Sequence, residues 1–428
     1  MKYFDPANLA IIACPGGDVF ANEVIEHLRH KYRHSRKQVE EQLSKHYNVN
    51  KEQVALNIDL VNRVASRGTN LQSGIGKYTN ASFKVPVKFS LFPNGEIKAE
   101  IEESVRGKDI YIFQDMENRY PVMFSGGQMV DNFSINDHLM TTMVTVDAAQ
   151  QSGAGRITLV IPVYPYARQH KAKGREGLTA SRIGKIFESL GVHHIITLDI
   201  HSRDIINAFH KMRLENLHAS YQIIQTLTQM DNILNDDFVV VSPDTGAVDR
   251  NKFYASALKK PLALLYKERD YSKISRDAAK SNISQIRLLG NVKDKTVFMA
   301  DDMLGTGGTL IKGMKLLMDN GARRIICAIS LPLFSGDAIA HLDEAYKEGL
   351  FFRIIGTNAV YHEELLNREW YVSVNISSLF AHVISRLHQN QSVSSLLDNS
   401  RIINRLISKT VTKEPQNELP FASKKTAD

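Results

Sequence analysis

Residues 296–310, Thr-Val-Phe-Met-Ala-Asp-Asp-Met-Leu-Gly-Thr-Gly-Gly-Thr-Leu, join a buried strand, two adjacent carboxylates, a glycine-rich turn and a helix start in that order. The order constrains the chain to an open α/β sheet with a ligand at the carboxyl end of a strand. Residues 297–300 are uninterrupted apolar residues, as in an interior parallel strand, and apolar positions recur at helical spacing over 310–318. Gly305, Gly307 and Gly308 allow backbone N–H groups to converge on one point, and the hydroxyls of Thr306 and Thr309 add donors beside the positive end of the helix. Such a nest suits a phosphate. Asp301 and Asp302, on the strand side, can accept hydrogen bonds from two neighbouring sugar hydroxyls. The run therefore predicts a sugar-phosphate pocket; a strand ending in a solvated acidic turn is the plainer alternative and leaves the coincidence of elements unexplained.

Apolar runs at 10–14, 109–114, 156–163 and 194–200 alternate with helical patterns at 139–151 and 180–190. A second set follows at 238–241, 262–266, 296–300, 324–331 and 352–357, which predicts an α/β fold with two mostly parallel sheets flanked by helices. At 428 residues the chain has room for two such halves, 1–220 and 221–400, with their boundary near the helical stretch around Tyr221. Residues 34–84 read as an insertion that starts as a charged helix and ends in the polar stretch 66–82, part of it expected to be mobile, and 401–428 as a tail disordered at its end. His27, His30 and His34 share a helix face, but no carboxylate or cysteine completes a metal set and basic residues surround them, so a solvated helix is expected.

With 43% hydrophobic and 23% charged residues the composition is that of a globular protein. No apolar run is long enough for a membrane span, and the first residues lack a secretory apolar core, so no membrane partner and a cytoplasmic location are expected. Cys14 and Cys327 fall in separate predicted strands and read as small buried residues rather than as a disulfide or metal pair. The formal net charge of +7 comes without aromatic-interleaved basic motifs, which favours anionic small molecules over nucleic acid as partners.

Further motifs follow one order. Phe92-Pro-Asn94-Gly-Glu96, residues 103–112, Asn136-Asp-His-Leu-Met, Pro162-Val-Tyr-Pro-Tyr-Ala-Arg168-Gln169, Asp199-Ile-His201, Ser242-Pro-Asp244 and Tyr266-Lys267-Glu268-Arg269 precede the glycine-rich run. This chain resembles the ribose-phosphate pyrophosphokinases, within the type I phosphoribosyltransferase superfamily, over roughly residues 85–398 plus a short N-terminal strand and helix. The resemblance implies two similar phosphoribosyltransferase-like halves and a C-terminal helix that returns to the N-terminal half. It implies ATP-dependent transfer of pyrophosphate to the 1-hydroxyl of ribose 5-phosphate, a step that needs positioning and charge neutralisation more than covalent chemistry.

By resemblance, ribose 5-phosphate is bound by Asp301, Asp302, Gly305, Thr306, Gly307, Gly308 and Thr309. ATP has no Walker loop here, since no G-x-x-x-x-G-K-[ST] sequence is present. The resemblance instead assigns it to Arg168 and Gln169 of one subunit with Phe92, Asn94 and Glu96 of a neighbour, which implies a homo-oligomer built on dimers. His201 and Asp244 are the implied magnesium ligands, with Asp199 in support, and Lys267 and Arg269 the implied catalytic cations under a flap formed by 270–284.

The chain departs from the family pattern at Gly305, where an aspartate is usual, at His170, and in the sequence Thr245-Gly-Ala-Val-Asp249-Arg250. Ser392 and Ser394 match residues near the family's regulatory phosphate site, while Leu397 replaces the usual aromatic. These departures and the insertion leave two alternatives: a catalytically silent regulatory subunit of the same fold, or a phosphoribosyltransferase acting on a base.

Overall fold

The computed structural model describes residues 8–65, 83–172, 174–230, 237–269 and 283–411, with the backbone alone described for 59–65, 267–269, 283–285 and 410–411. The polar stretch 66–82, most of the expected flap (270–282) and the chain beyond 411 lie outside the described residues.

The first half comprises β1 (Leu9–Ala13), α1 (Asp18–Tyr47), α2 (Lys51–Ala65), β2 (Val87–Leu91), β3 (Ile97–Ile101), β4 (Asp109–Phe113), β5 (Val122–Phe124), β6 (Gln128–Val130), α3 (Ile135–Gln151), β7 (Arg156–Val160), α4 (Thr179–Ser189), β8 (His194–Leu198) and β9 (Arg213–Leu217). Its main sheet is parallel throughout, in the order β1-β4-β7-β8-β9. Strands β1 and β4 are buried at every position, which is why their apolar runs do not alternate: helices cover both faces. The hairpin β2–β3 does alternate, Val-Lys-Phe-Ser-Leu against Ile-Lys-Ala-Glu-Ile, because only one side packs. Gly95 closes its turn at φ +89°, a conformation that favours glycine. Ser134 and Asp137 start α3 with a reciprocal capping box.

The second half comprises α5 (Ser220–Met230), β10 (Phe238–Ser242), α6 (Val248–Leu258), β11 (Leu262–Arg269), β12 (Ile283–Leu289), β13 (Thr296–Leu304), α7 (Gly308–Asp319), β14 (Arg324–Pro332), α8 (Ala338–Lys347), β15 (Arg353–Thr357), β16 (Tyr371–Val374), α9 (Ser377–His388), α10 (Ser394–Leu397) and α11 (Ser400–Val411). Its sheet runs β12-β11-β10-β13-β14-β15-β16, parallel except for β12, which pairs antiparallel with β11.

The halves share one apolar core. Phe20 of α1, Tyr111 of β4, Leu227 of α5, Phe298 of β13 and Phe380 of α9 belong to a single buried cluster. Helix α9 returns to the first half, where the Phe380 ring meets Phe20 edge-on at 5.0 Å. At its end Asp109 accepts from Arg156 Nε at 2.8 Å and pairs with His388 Nδ1 at 2.8 Å, so one buried carboxylate ties β4, β7 and α9. This fixes how the two sheets face each other.

Helix α1 runs without a break into the insertion. Its buried stripe, Phe20, Val24, Ile25, Leu28 and Tyr32, gives way to Arg36, which pairs with Glu40 at 2.7 Å one turn further on. Residues 401–411, placed in the tail by sequence, belong to α11, where Ile403 and Ile407 are buried in the shared core. Cys14 and Cys327 are free and buried.

Candidate active site

Strand β13 carries the two aspartates. Sequence alone ends it at 300, where the apolar run stops, but its pairing with β14 continues through Asp301↔Ile329 to Leu304↔Pro332, so both carboxylates project from a strand rather than from a turn. On the other side β10 pairs with β13 only as far as Val240↔Phe298. There Asn251 of α6, fully buried, takes over: its Nδ2 donates to the Ala300 carbonyl at 2.8 Å and its Oδ1 accepts from the Ala300 N–H at 2.9 Å. A side-chain amide thus completes the ladder immediately before Asp301.

After Leu304 the chain turns through Gly305, Thr306 and Gly307 into α7. Gly307 sits at φ +77° as the residue preceding the helix, which has no side-chain cap. Among the described residues no side chain caps the amino end of α7, whose first-turn N–H groups have no helix carbonyl to bond, the arrangement that receives an anion.

A cavity of ≈ 610 Å³ lies between the halves. The second half contributes Asp244, Asp301, Asp302, Gly305, Thr306, Gly307 and Thr309 to its walls, and the first half contributes Arg168 and His201. The glycine-rich turn expected to take the phosphate and the residues expected to hold magnesium thus meet in one space. His201 Nδ1 lies 2.6 Å from Asp302 Oδ2, a contact across the halves between residues about a hundred positions apart. Asp244 Oδ1 accepts the N–H groups of Gly246 and Ala247 at 2.9 and 3.0 Å, which fixes its carboxylate at the cavity wall. A Cβ on Gly305 would lie 3.5 Å from Arg168 Nη2, so the guanidinium occupies the space beside this glycine.

The remaining candidates stand elsewhere. Gly308 begins α7 and is not a wall residue; Gln169 is held by its backbone, donating to Tyr166 and accepting from Ala180. Phe92, Asn94 and Glu96 occupy the tip of the β2–β3 hairpin, where Phe92 is 45% exposed and Asn94 Oδ1 accepts the Glu96 N–H at 3.2 Å; none of them lines the cavity. Lys267 and Arg269 lie on the last residues of β11, beyond the Ser242↔Leu264 pair that ends the β10 ladder, and their side chains are outside the described residues.

Arg250, one turn into α6, joins this site without having been among the expected binding residues. Its Nη1 is 3.3 Å from Asp199 Oδ1, and it lines the cavity with Asp301 and Asp302. Asp199 is buried at φ +39° and also meets His218 Nδ1 at 2.7 Å. Burial alone would push the Asp199 carboxyl up, but Arg250 and His218 outweigh it and hold the group well below the usual carboxylate range. The same balance separates the aspartate pair. Burial and the Asp302 charge push Asp301 up to about 7, whereas the His201 hydrogen bond and the Arg250 cation overcome burial and keep Asp302 low. An arginine in a helix's first turn has no sequence signature of its own; the Asp249-Arg250 pair after Asp244 was the only signal.

Comparison with known proteins agrees with this geometry. Residues 64–191 match the family model for the N-terminal domain of ribose phosphate pyrophosphokinase, and residues 202–358 match the phosphoribosyl transferase domain. Ribose-phosphate pyrophosphokinase A of Dictyostelium discoideum is 32% identical over 312 residues, covering 72% of this chain and 89% of its own. Ribose-phosphate pyrophosphokinase 2 of Schizosaccharomyces pombe is 32% identical over 307 residues, covering 71% and 87%. The crystal structure of phosphoribosylpyrophosphate synthetase from Mycobacterium smegmatis superposes with a TM-score of 0.64 at 25% identity, over 90% of this chain and 99% of that one. The chain belongs to the ribose-phosphate pyrophosphokinase family, with a phosphoribosyltransferase-type fold in each half.

Proposed function

We propose that the cavity between the halves is where this chain carries out the family's reaction, transfer of pyrophosphate from ATP to ribose 5-phosphate to give 5-phosphoribosyl 1-pyrophosphate and AMP. The observation that carries the reading is the convergence of Asp301, Asp302 and the 305–307 turn from one half with Arg168 and His201 from the other. The 5-phosphate sits on the turn at the amino end of α7, and the ribose 2- and 3-hydroxyls donate to the aspartates. This anchoring leaves the 1-hydroxyl directed at the β-phosphorus of ATP. A new O–P bond forms there as the bond from the β-phosphorus to the oxygen bridging it to the α-phosphate breaks; AMP leaves with that oxygen, and the hydroxyl proton is released to water. Arg168 faces the phosphates with a fixed positive charge, and Lys267 and Arg269, at the end of β11, supply further cations for the charge that grows on the transferring group.

Magnesium supplies neutralisation of the phosphate oxygens when bound. No group of three or more histidine, cysteine, aspartate or glutamate side chains among the described residues forms a closed metal cage. Magnesium keeps its waters and takes one or two protein ligands beside substrate phosphates. With His201 Nδ1 held by Asp302, the tautomer protonated there presents Nε2 as an acceptor, and Asp244 adds a carboxylate at the same wall. These two residues would hold the ion.

The adenine end is assigned to a second copy of the chain. Phe92 is an exposed aromatic on a hairpin tip away from its own cavity, with Asn94 and Glu96 beside it, a group suited to stack on and read a purine presented by a neighbour's Arg168 and Gln169. Among the described residues no helix is long and apolar enough to cross a membrane. The test is AMP formation from ATP with and without ribose 5-phosphate, with the second product identified by phosphorus resonance. AMP release that does not depend on the sugar phosphate would refute the reading.

A further inference from the structure

We infer that Arg119, seconded by Tyr120, is a positioning residue that braces the sugar-phosphate turn from the opposite half of the chain; its ligand rests on the functional reading above. The turn does not hold itself. The Leu304 carbonyl accepts the Phe334 N–H at 2.9 Å and the Gly305 carbonyl accepts the Ser335 N–H at 3.0 Å. Because a trans peptide sets its C=O and N–H in opposite directions, these two bonds turn the N–H groups of Gly305 and Thr306 away from residues 334–335. Gly305 and Thr306 both line the cavity, so the 334–335 segment decides where the phosphate donors aim.

That segment is itself an unusual piece of backbone. Phe334 lies at φ +45°, a region that bulky side chains rarely enter, and is completely buried, its ring meeting His362 edge-on at 5.2 Å. Its carbonyl accepts Arg119 Nη1 at 2.5 Å, while Arg119 Nη2 donates to Ser335 Oγ at 3.1 Å. Both arms of one guanidinium therefore hold the two residues whose N–H groups hold the phosphate turn. Next to it, the Tyr120 hydroxyl donates to Glu364 and accepts the Glu363 N–H at 2.6 Å, and its ring lies 5.5 Å from Tyr361. Arg119 and Tyr120 belong to the connection between β4 and β5 in the first half, whereas Phe334, Ser335, Tyr361, Glu363 and Glu364 belong to the second. The brace thus sets the donors of one half against Arg168 and His201 of the other.

The experiment compares the full-length parent with Arg119→Ala, Arg119→Lys and Tyr120→Phe. Hydrogen exchange over 333–336 should be about tenfold faster in Arg119→Ala. In calorimetry its ribose 5-phosphate Kd should rise about tenfold, while the Kd of a non-hydrolysable ATP analogue stays within about twofold. Arg119→Lys should recover part of both changes, and Tyr120→Phe should show smaller ones in the same direction. Unchanged exchange over 333–336 in Arg119→Ala overturns the inference, as does an equal loss of both ligands with a lowered Tm, which would mark a merely structural residue. Failure of the parent to bind ribose 5-phosphate would refute the functional reading, and the exchange comparison would still decide the brace.

Discussion

Replacing Arg250 with methionine keeps the length of the aliphatic stem and removes the charge, so it isolates what the guanidinium does between the halves. At 3.3 Å from Asp199, in an effective dielectric of about 20, the lost attraction is about 5 kcal/mol. His218 stays as a second partner of Asp199 at 2.7 Å, and Arg250 is half-buried at the cavity wall, so the net destabilisation should be at most the lower end of the range for breaking a buried pair, about 3 kcal/mol. Urea unfolding at neutral pH measures this. The pH dependence provides a signature. Asp199 has a depressed folded-state pKa, so its stabilisation is present above the unfolded value of about 4 and is lost as pH falls through the folded one. The gap between parent and Arg250→Met should therefore be full at pH 7 and narrow below about pH 4. Asp302, which also depends on Arg250, should take up a proton more readily, so ribose 5-phosphate binding should be lost at a higher pH on the acid side. A loss below about 1 kcal/mol with unchanged sugar-phosphate affinity would show that the Asp199–Arg250 pair does not hold the site.

Asp115 offers the opposite sign. Burial pushes its carboxyl up to about 7 against the hydrogen bond from the Glu117 N–H, so stability is full below about pH 4 and falls as pH rises through 7, by at most about 4 kcal/mol; Asp115→Asn should flatten the plot of Tm against pH, and an unaltered slope would contradict the assignment. Lys267→Ala should lower kcat about a hundredfold or more with little change in ribose 5-phosphate affinity, because its charge is proposed to act in the transition state; a kcat within about threefold of the parent would rule the role out. Phe92→Ala and Arg168→Ala, each nearly inactive alone, should regain activity when co-assembled, since some interfaces then pair an intact Phe92 with an intact Arg168. Mixed oligomers shown by mass measurement but without recovered activity would leave both residues serving one chain.

What was legible in the sequence was whatever has a local period or a local motif. The buried strands are continuous apolar runs, and the phosphate turn announces itself through Gly305, Gly307 and Gly308 beside Thr306 and Thr309. The end of β13 was misjudged for a definite reason: Asp301 and Asp302 interrupt the apolar run, while the backbone continues in register with β14 to Leu304. Hydropathy reports which faces are dry, and at the mouth of a cleft a strand goes on after its faces have become wet. In the same way 401–411 read as a tail, because Ile403 and Ile407 are too few to stand out until α5 and α6 are there to receive them.

The residues that sequence reasoning missed share a different property. Asn251 completes β13 at Ala300, Arg250 serves Asp199 and lines the same wall as Asp302, and Arg119 holds the turn at Phe334, each reaching a partner in another element or the other half. None changes the local propensity of its own segment, so no window of sequence around it carries the information. On the proposed reading these contacts decide the geometry, since a sugar phosphate anchored on one half and triphosphate-facing groups on the other would be brought in line only if the halves hold a fixed relation. The shared core supplies that relation coarsely, through Phe20 and Phe380. The polar crossings supply it at the level of single atoms, with His201 on Asp302 and Arg250 on Asp199 inside the cleft and Arg119 on Phe334 behind it. Because Gly305 brings no side chain of its own and has the Arg168 guanidinium beside it, the site depends the more on how these contacts aim Arg168 and the backbone donors of the turn.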